Sequence, residues 1–469
     1  MAYLGKKGYT IFKTDENNKL MNEIRNDLNV KPTTTQKFET KEYPIYRESK
    51  TKMYIPRYYG IEKCGPFKNN LSLGHEIDIN FVGNLFDYQH NIINKYIDHV
   101  GESGGGLLDV EPGKGKTVMA LNIISKLKRK TLVIVHKTFL MNQWIERIET
   151  FLPTAKVGRI QGDIIDIEDK DIVLGMLQSL SNKDYDPKLW DQFGLCVFDE
   201  CHHLSAEVFS NIMINVVTNY NLGLSGTMER KDGLSKVFHY FIGPVIHKEK
   251  TDVTCEVIVK AIKINNDDIF EDVKTDQRGN PLYSLMINKL NYEKRNDLII
   301  NIIEHELKLN SAQQIMILAQ TKLLLDNLYE KITEKINSNM QTNISSIGFY
   351  VGGMKEEKLK ESETKQLILG TYAMASEGLD IKTLTTLIMA TPKSDVCQSV
   401  GRILRSKHSS PLVIDLIDDH IILKNQFKKR TTYYKSKNYN IIKYKDEYDY
   451  YKNFKEEKKE KQVKCLIKI

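Results

Sequence analysis

The sequence predicts an α/β protein made of two tandem parallel-sheet domains, with a small β-rich segment before them and a basic tail after them. Three observations carry this reading. Short apolar runs alternate with stretches of helical spacing, first from Phe81 to about Lys250 and again from about Leu285 to Asp419. Such alternation implies parallel strands with covered faces. A glycine-rich loop follows an early apolar run of the first block, and the second block has no counterpart. At 469 residues the chain is too long for one ordinary core, and 41% hydrophobic content is enough to fill two or three.

Residues 1–80 contain few long apolar periods. From Lys41 to Gly65, Tyr and Ile alternate with Lys and Arg, punctuated by Pro44, Pro56, Gly60 and Gly65. Short strands and turns are expected, forming an accessory domain. In residues 81–250, strands are expected at Gly106–Val110, Thr131–Val135, Asp171–Gly175, Leu195–Phe198 and Asn221–Ser225, with a helix from Thr117 to Arg129. The polar stretch Asn265–Arg278 suggests a linker spanning 251–284. In residues 285–445, strands are expected at Ile315–Ala319, Ile344–Tyr350, Gln366–Gly370, Thr386–Ala390 and Leu412–Leu416, then a helix and a last strand near Ile421–Tyr444. Residues 446–469 read as a charged low-complexity tail without fixed structure.

The formal net charge is +7, and its position is informative. Lys424–Ile469 holds 15 Lys and Arg against 6 Asp and Glu, so the rest of the chain is slightly acidic. The six cysteines are scattered with no Cys-x-x-Cys pair, which indicates neither zinc nor a disulfide framework. No signal-peptide core and no run of 18 apolar residues occurs, so a soluble, intracellular protein without a membrane partner is expected.

Two motifs carry chemistry. Gly113-Lys114-Gly115-Lys116-Thr117 joins a strand to a helix. Its glycines let backbone amides face phosphate oxygens, Lys116 reaches the β- and γ-phosphates, and Thr117 ligates magnesium. The full pattern has glycine at position 110, where this chain has Val110. Farther on, Asp199-Glu200-Cys201-His202 ends an apolar run, so its acids fall at the carboxyl end of a parallel strand, where ligands bind. Asp199 would hold Mg2+ and Glu200 would polarise the attacking water. His202 and His203 are neighbours of these acids rather than metal ligands, since no other Cys or His has ligand spacing to them. ATP and Mg2+ are the expected cofactors.

In this order and spacing, the motifs resemble those of superfamily 2 helicases from about Phe81 to Tyr444. The Gly113–Thr117 loop and Asp199–His202 are similar to motifs I and II. Leu85–Gln89 resembles the adenine-reading motif, with Gln89 on the base edge. Leu132–Trp144 resembles motif Ia, Gly175–Leu180 a strand-contacting motif, and Ser225-Gly226-Thr227 motif III, which implies that Ser225 and Thr227 couple hydrolysis to movement. Gly370–Asp380 resembles motif V, placing Gly378 and Asp380 at the nucleotide. Gln398–Arg405 resembles motif VI, placing Gln398, Arg402 and Arg405 there too. The two arginines lie three apart and share a helix face, from which planar cations can stabilise charge on a γ-phosphate. Gly158–Asp163, Asp171–Leu180 and Arg230–Phe238 are most similar to the XPB/UvsW branch, although Arg230-Lys231-Asp232 has Lys231 where that branch carries an acid. Within the branch the chain is most similar to poxvirus-type transcript-release DNA helicases and their relatives in large DNA viruses.

The resemblance implies two RecA-like domains and a 3′-to-5′ DNA helicase or translocase of transcription or repair, in the virion and host cytoplasm if viral. Thr138, Gln178, Thr321 and Thr371 are the candidate backbone contacts, because hydroxyls and amides bind phosphates without reading bases. DNA is the expected partner and RNA the alternative, with transcription machinery a further partner. A nucleotide-binding scaffold without unwinding is the non-enzymatic alternative. Two readings stand for the tail lysines and Tyr433, Tyr434, Tyr439, Tyr444, Tyr448, Tyr450 and Tyr451: backbone binding with base stacking, or a solvated charge run. Arg47, Lys50, Lys52 and Arg57 share that ambiguity.

Overall fold

The computed structural model describes residues 2–33, 42–111, 113–200, 206–226, 233–248, 257–277, 279–338, 342–377, 381, 383–396, 400 and 411–452. The chain forms two compact units, Met1–Lys250 and Thr251–Ile469.

The first unit begins with strands β1 (Tyr3–Gly5), β2 (Gly8–Phe12), β3 (Asn29–Val30), β4 (Tyr43–Pro44), β5 (Arg47–Glu48), β6 (Lys52–Ile55) and β7 (Lys68–Asn69). Five of them form a sheet in the order β5-β6-β2-β1-β7, while β3 pairs with β4. Two helices, Asn18–Asp27 and Arg57–Cys64, accompany them. Residues 1–80, expected as a domain apart, share one hydrophobic cluster with residues 81–250: Tyr9, Met21, Ile24, Met53 and Tyr59 join Phe209, Phe238 and Phe241. Arg57, one of the ambiguous basic residues of this segment, is not free to bind phosphate. It is buried, and its Nη1 donates to the carbonyl of Asn219 at 2.8 Å. Burial lowers its pKa below the ordinary value.

The larger sheet of this unit comprises β8 (Gly105–Asp109), β9 (Thr131–Val135), β10 (Val157–Gln161), β11 (Ile164–Asp166), β12 (Ile172–Met176), β13 (Leu195–Asp199), β14 (Tyr220–Ser225) and β15 (Val245–Lys248). Their order is β11-β10-β12-β9-β13-β14-β8-β15, parallel except for β11. Every residue of β8, β9, β12 and β13 is buried. Side chains alternate between the two faces, as the two-residue pleat requires. Leu132 and Ile134 enter one cluster, and Val133 and Val135 the other. The helix Lys116–Leu127 covers the second face with Met119, Ala120, Leu121, Ile123 and Ile124. Fully burying a large aliphatic side chain contributes roughly 1.5–3 kcal/mol.

The second unit has one sheet of β16 (Ile258–Ile264), β17 (Gln314–Ala319), β18 (Ile347–Tyr350), β19 (Leu367–Thr371), β20 (Leu384–Met389), β21 (Leu412–Asp418) and β22 (Asn440–Tyr444). The order is β18-β19-β17-β20-β21-β16-β22, all parallel. Two expectations are corrected here. Residues 251–284, expected as a linker, contain β16, which lies between β21 and β22. Lys260 and Lys263 break its apolar run, but Lys260 is buried and its Nζ donates to Glu306 Oε1 at 2.7 Å. Of the tail expected from residue 446, residues 447–452 are helical. There Tyr450 is buried, and its hydroxyl donates to Glu306. Tyr434, Tyr439, Tyr444 and Tyr450 are all buried, which removes them as base-stacking platforms, whereas Tyr448 is exposed. No helix among the described residues is long and apolar enough to cross a membrane.

Candidate active site

The first unit gathers its candidate residues at the carboxyl ends of β8, β9, β12, β13 and β14. Val110, at the position of the missing glycine, is fully buried, and its amide donates to the Ser225 carbonyl at 2.9 Å. That bond ties the phosphate-loop strand to the end of β14, where Ser225 pairs in register with Asp109. The loop then turns through Gly113 and Gly115, with φ of 86° and 80°, a left-handed region costly to residues with a Cβ. A Cβ on Gly115 would also lie 2.4 Å from Gln89 Nε2. Lys116 and Thr117 come next, in the first helical turn, where backbone amides and the helix dipole favour an anion.

Lys116 Nζ donates to Glu200 Oε1 at 2.6 Å, so folding brings together the two residues on which the nucleotide reading rests. Glu200 has φ 49°, unusual for a residue with a side chain, and strain of this kind clusters at functional sites. Asp199 is buried at the end of β13, and its Oδ2 accepts from Trp144 Nε1 at 2.8 Å. Burial, then the Glu200 charge, raises the Asp199 pKa. Lys116 and the Trp144 indole oppose that rise. His136, just past β9, has its pKa lowered by burial and then by Lys137. Asp199 and the Thr117 hydroxyl offer the hard oxygen donors that suit Mg2+.

Gln89 is engaged at both ends of its amide. Its Oε1 accepts from the Phe86 amide at 3.0 Å, and its Nε2 donates to the Lys114 carbonyl at 3.0 Å. An adenine edge therefore competes with bonds the chain already makes. The Tyr88 hydroxyl donates to the same Lys114 carbonyl at 3.0 Å. Phe86 and Tyr88 stack, with ring centroids 5.8 Å apart, and Phe86 is exposed. The sequence singled out neither Trp144 nor this aromatic pair as site residues. Both lie inside quoted motifs, but only the fold shows where an indole N–H or a ring points.

Thr138 and Gln178 are exposed just past the ends of adjacent strands β9 and β12, and Thr138 Oγ1 accepts from Gln161 Nε2 at 3.3 Å. In the second unit, Thr321 occupies the N-cap position of the helix Lys322–Asn337 without a side-chain capping bond, and Thr371 ends β19 in register with Ala319 of β17. Each pair thus shares the carboxyl edge of its own sheet. Thr227, His202, His203, Arg230, Lys231, Asp232, Gly378, Asp380, Gln398, Arg402 and Arg405 lie outside the described residues.

The family profile of the type III restriction enzyme res subunit matches residues 83–230. A protein of Acanthamoeba polyphaga mimivirus, named as an ATP-dependent RNA helicase, is 36% identical over 93% of this chain and 86% of its own length. A protein of African swine fever virus with the same type of name is 28% identical over 76% of this chain and 74% of its own length. Among solved structures, an ATP-dependent type ISP restriction-modification enzyme bound to DNA is similar in fold. Its TM-score is 0.54 at 16% identity, over 77% of this chain and 32% of that one. The chain belongs to the superfamily 2 helicases of large DNA viruses and is a nucleic-acid-dependent ATPase.

Proposed function

We propose that this ATPase is a 3′-to-5′ DNA helicase or translocase that acts in viral transcription, at transcript release or termination, or in repair. The observation that carries the ATPase chemistry is the Lys116–Glu200 ion pair beside Asp199 at the sheet edge. When nucleotide binds, Lys116 exchanges Glu200 for phosphate oxygens, and Glu200 is released to orient water. Thr117 and Asp199 would hold Mg2+, which supplies charge neutralisation on the phosphates. Gly378, Asp380 and Gln398 contact the nucleotide, and Arg402 and Arg405 stabilise the charge developing on the γ-phosphate. Ser225 and Thr227 couple hydrolysis to movement. Thr138, Gln178, Thr321 and Thr371 grip the strand by its backbone, so little sequence preference is expected. The virion and the host cytoplasm are the proposed locations, with transcription machinery as partner.

The DNA assignment rests on the resemblance of Gly158–Asp163 and Asp171–Leu180 to the XPB/UvsW branch. RNA is the second reading, favoured by the names of the mimivirus and African swine fever virus relatives. The test is ATP hydrolysis with single-stranded DNA, double-stranded DNA and RNA as activators. Stimulation by DNA well above that by RNA of matched sequence supports the proposal. The reverse moves the assignment to RNA, through contacts to the 2′-hydroxyl. Hydrolysis indifferent to every nucleic acid would leave a nucleotide-binding scaffold.

A further inference from the structure

Four side chains far apart in the sequence of the second unit, Tyr283, Gln320, Tyr372 and Arg430, converge on the short segment after β20. The Tyr372 hydroxyl donates to the Thr391 carbonyl at 2.6 Å. The Tyr283 hydroxyl donates to the Pro392 carbonyl at 3.2 Å, and Gln320 Nε2 donates to that carbonyl and to the Tyr283 oxygen. The Gln320 amide donates to Thr391 Oγ1 at 2.9 Å. Arg430, from the helix Ile421–Ser436, donates Nη1 to the Lys393 carbonyl at 2.8 Å. Its Nε and Nη2 are both held by Asp415 of β21 at 2.8 Å. Lys393 also places Nζ 4.9 Å from the centre of the Tyr372 ring. The segment is thus wrapped around Tyr372, which is itself buried.

The chain neighbours of these groups give the clamp its meaning. Tyr372 directly follows Thr371, and Gln320 directly precedes Thr321, the two candidate strand contacts of this unit. Lys393 stands nine positions before Arg402. A residue locked to its own backbone neighbour cannot move without moving it. We infer that Tyr372, assisted by Gln320, is a positioning residue that links the strand-contacting edge at Thr321 and Thr371 to the segment bearing Arg402 and Arg405. The inference rests on the proposed role of those two arginines. Phe at 372 fills the same space and keeps the ring under Lys393, but leaves the Thr391 carbonyl without its donor.

The experiment measures ATP hydrolysis at saturating nucleic acid, nucleic-acid affinity and thermal melting for full-length Tyr372→Phe, Gln320→Ala and Arg402→Ala. Gln320 is exposed, so its variant keeps the test readable if Tyr372→Phe does not fold. For Tyr372→Phe, kcat is expected to fall about tenfold, short of the roughly hundredfold scale of a 1 Å misplacement. KM for ATP and nucleic-acid affinity should stay within about twofold, the mark of an interaction that matters only in the transition state. Gln320→Ala should fall in the same sense by less. Parental kcat in both, with Arg402→Ala inactive, overturns the inference and leaves the proposed function standing. A matched drop in kcat, affinity and melting temperature overturns it as well, by reducing the clamp to stability. An active Arg402→Ala sinks the proposed role of the arginines and the inference with it.

Discussion

At the carboxyl edge of the first unit's large sheet, Lys116 and Glu200 form an ion pair through one contact, with side chains still 9% and 20% exposed. On β21 of the second unit's sheet, Asp418 holds Arg295 and Asp415 holds Arg430, each by two hydrogen bonds and with no exposure at all. The two sheets are built on the same parallel plan, but they use buried charge for different ends. A singly bonded pair open at one side can be exchanged for a phosphate. A bidentate pair sealed on all sides cannot be exchanged, and it fixes whatever else the arginine touches. Accessibility, more than the presence of charge, separates a pair that can exchange partners from a pair that holds a scaffold.

The sharpest way to break this comparison is at its open member. Glu200→Gln keeps the shape and can still accept a bond from Lys116, but it cannot act as a base. Turnover should fall about 10²–10⁴-fold, the range for loss of a general base, with ATP binding retained. Steady-state hydrolysis and equilibrium nucleotide binding, measured side by side, check this. Parental turnover would mean that the pair is as structural as those of the second unit.

The sealed member should answer in stability instead. Asp415→Asn leaves Arg430 buried with its charge uncompensated, at a cost of about 3–5 kcal/mol. Burial pulls the Arg430 pKa down, yet the Asp415 carboxylate more than offsets it, so the guanidinium stays charged in the wild-type chain. Hydrogen exchange should accelerate in β20 and β21 while β9 and β13 keep their protection. Unchanged exchange in β21 would show that the pair contributes little there.

The same contrast explains what could be read in the sequence. Apolar strands with period-two burial, such as β9 and β13, were legible because nothing polar interrupts them. The placement of the Gly113–Thr117 loop and of Asp199 and Glu200 at strand ends was legible because each follows an uninterrupted buried strand. β16 was hidden because Lys260 breaks its pattern and finds Glu306 only through the fold. Tyr450 was hidden in the same way, since a tyrosine in a run of charges looks solvated until Glu306 is beside it. Arg57 looked like a surface cation for want of any sign that the Asn219 carbonyl awaits it. Partners distant in sequence leave no local signal, so the polar half of the core was the part missed.

Gly115→Ala probes the loop that leads into Lys116, one member of the first unit's pair. Alanine there must adopt φ near 80° and would push against Gln89 Nε2. The left-handed conformation alone costs roughly 1–2 kcal/mol. ATP affinity should drop about tenfold or more, read by equilibrium titration. Gly279→Ala in the second unit is the matched control, because φ is 77° there but a Cβ meets nothing within 4 Å. It should weaken the local turn and leave ATP affinity alone. If both variants bind ATP alike, the contact with Gln89 is irrelevant to nucleotide.

The smallest effect expected tests how far the open site is itself held from behind. Trp144 is buried, and its indole N–H is bonded to Asp199 Oδ2. Buried indoles ordinarily find such an acceptor, so the bond alone does not establish a role. Trp144→Phe removes the donor and keeps most of the packing. A buried acceptor left without its partner loses about 1–3 kcal/mol, part of which relaxation of the site recovers. The Mg2+ concentration for half-maximal hydrolysis should therefore rise a few-fold with little change in maximal rate. Trp190→Phe is the control, since that indole packs against Tyr185 and Phe193. Equal metal dependence in both variants would show that Asp199 needs no support from Trp144, and that the open site is oriented by its own strand alone.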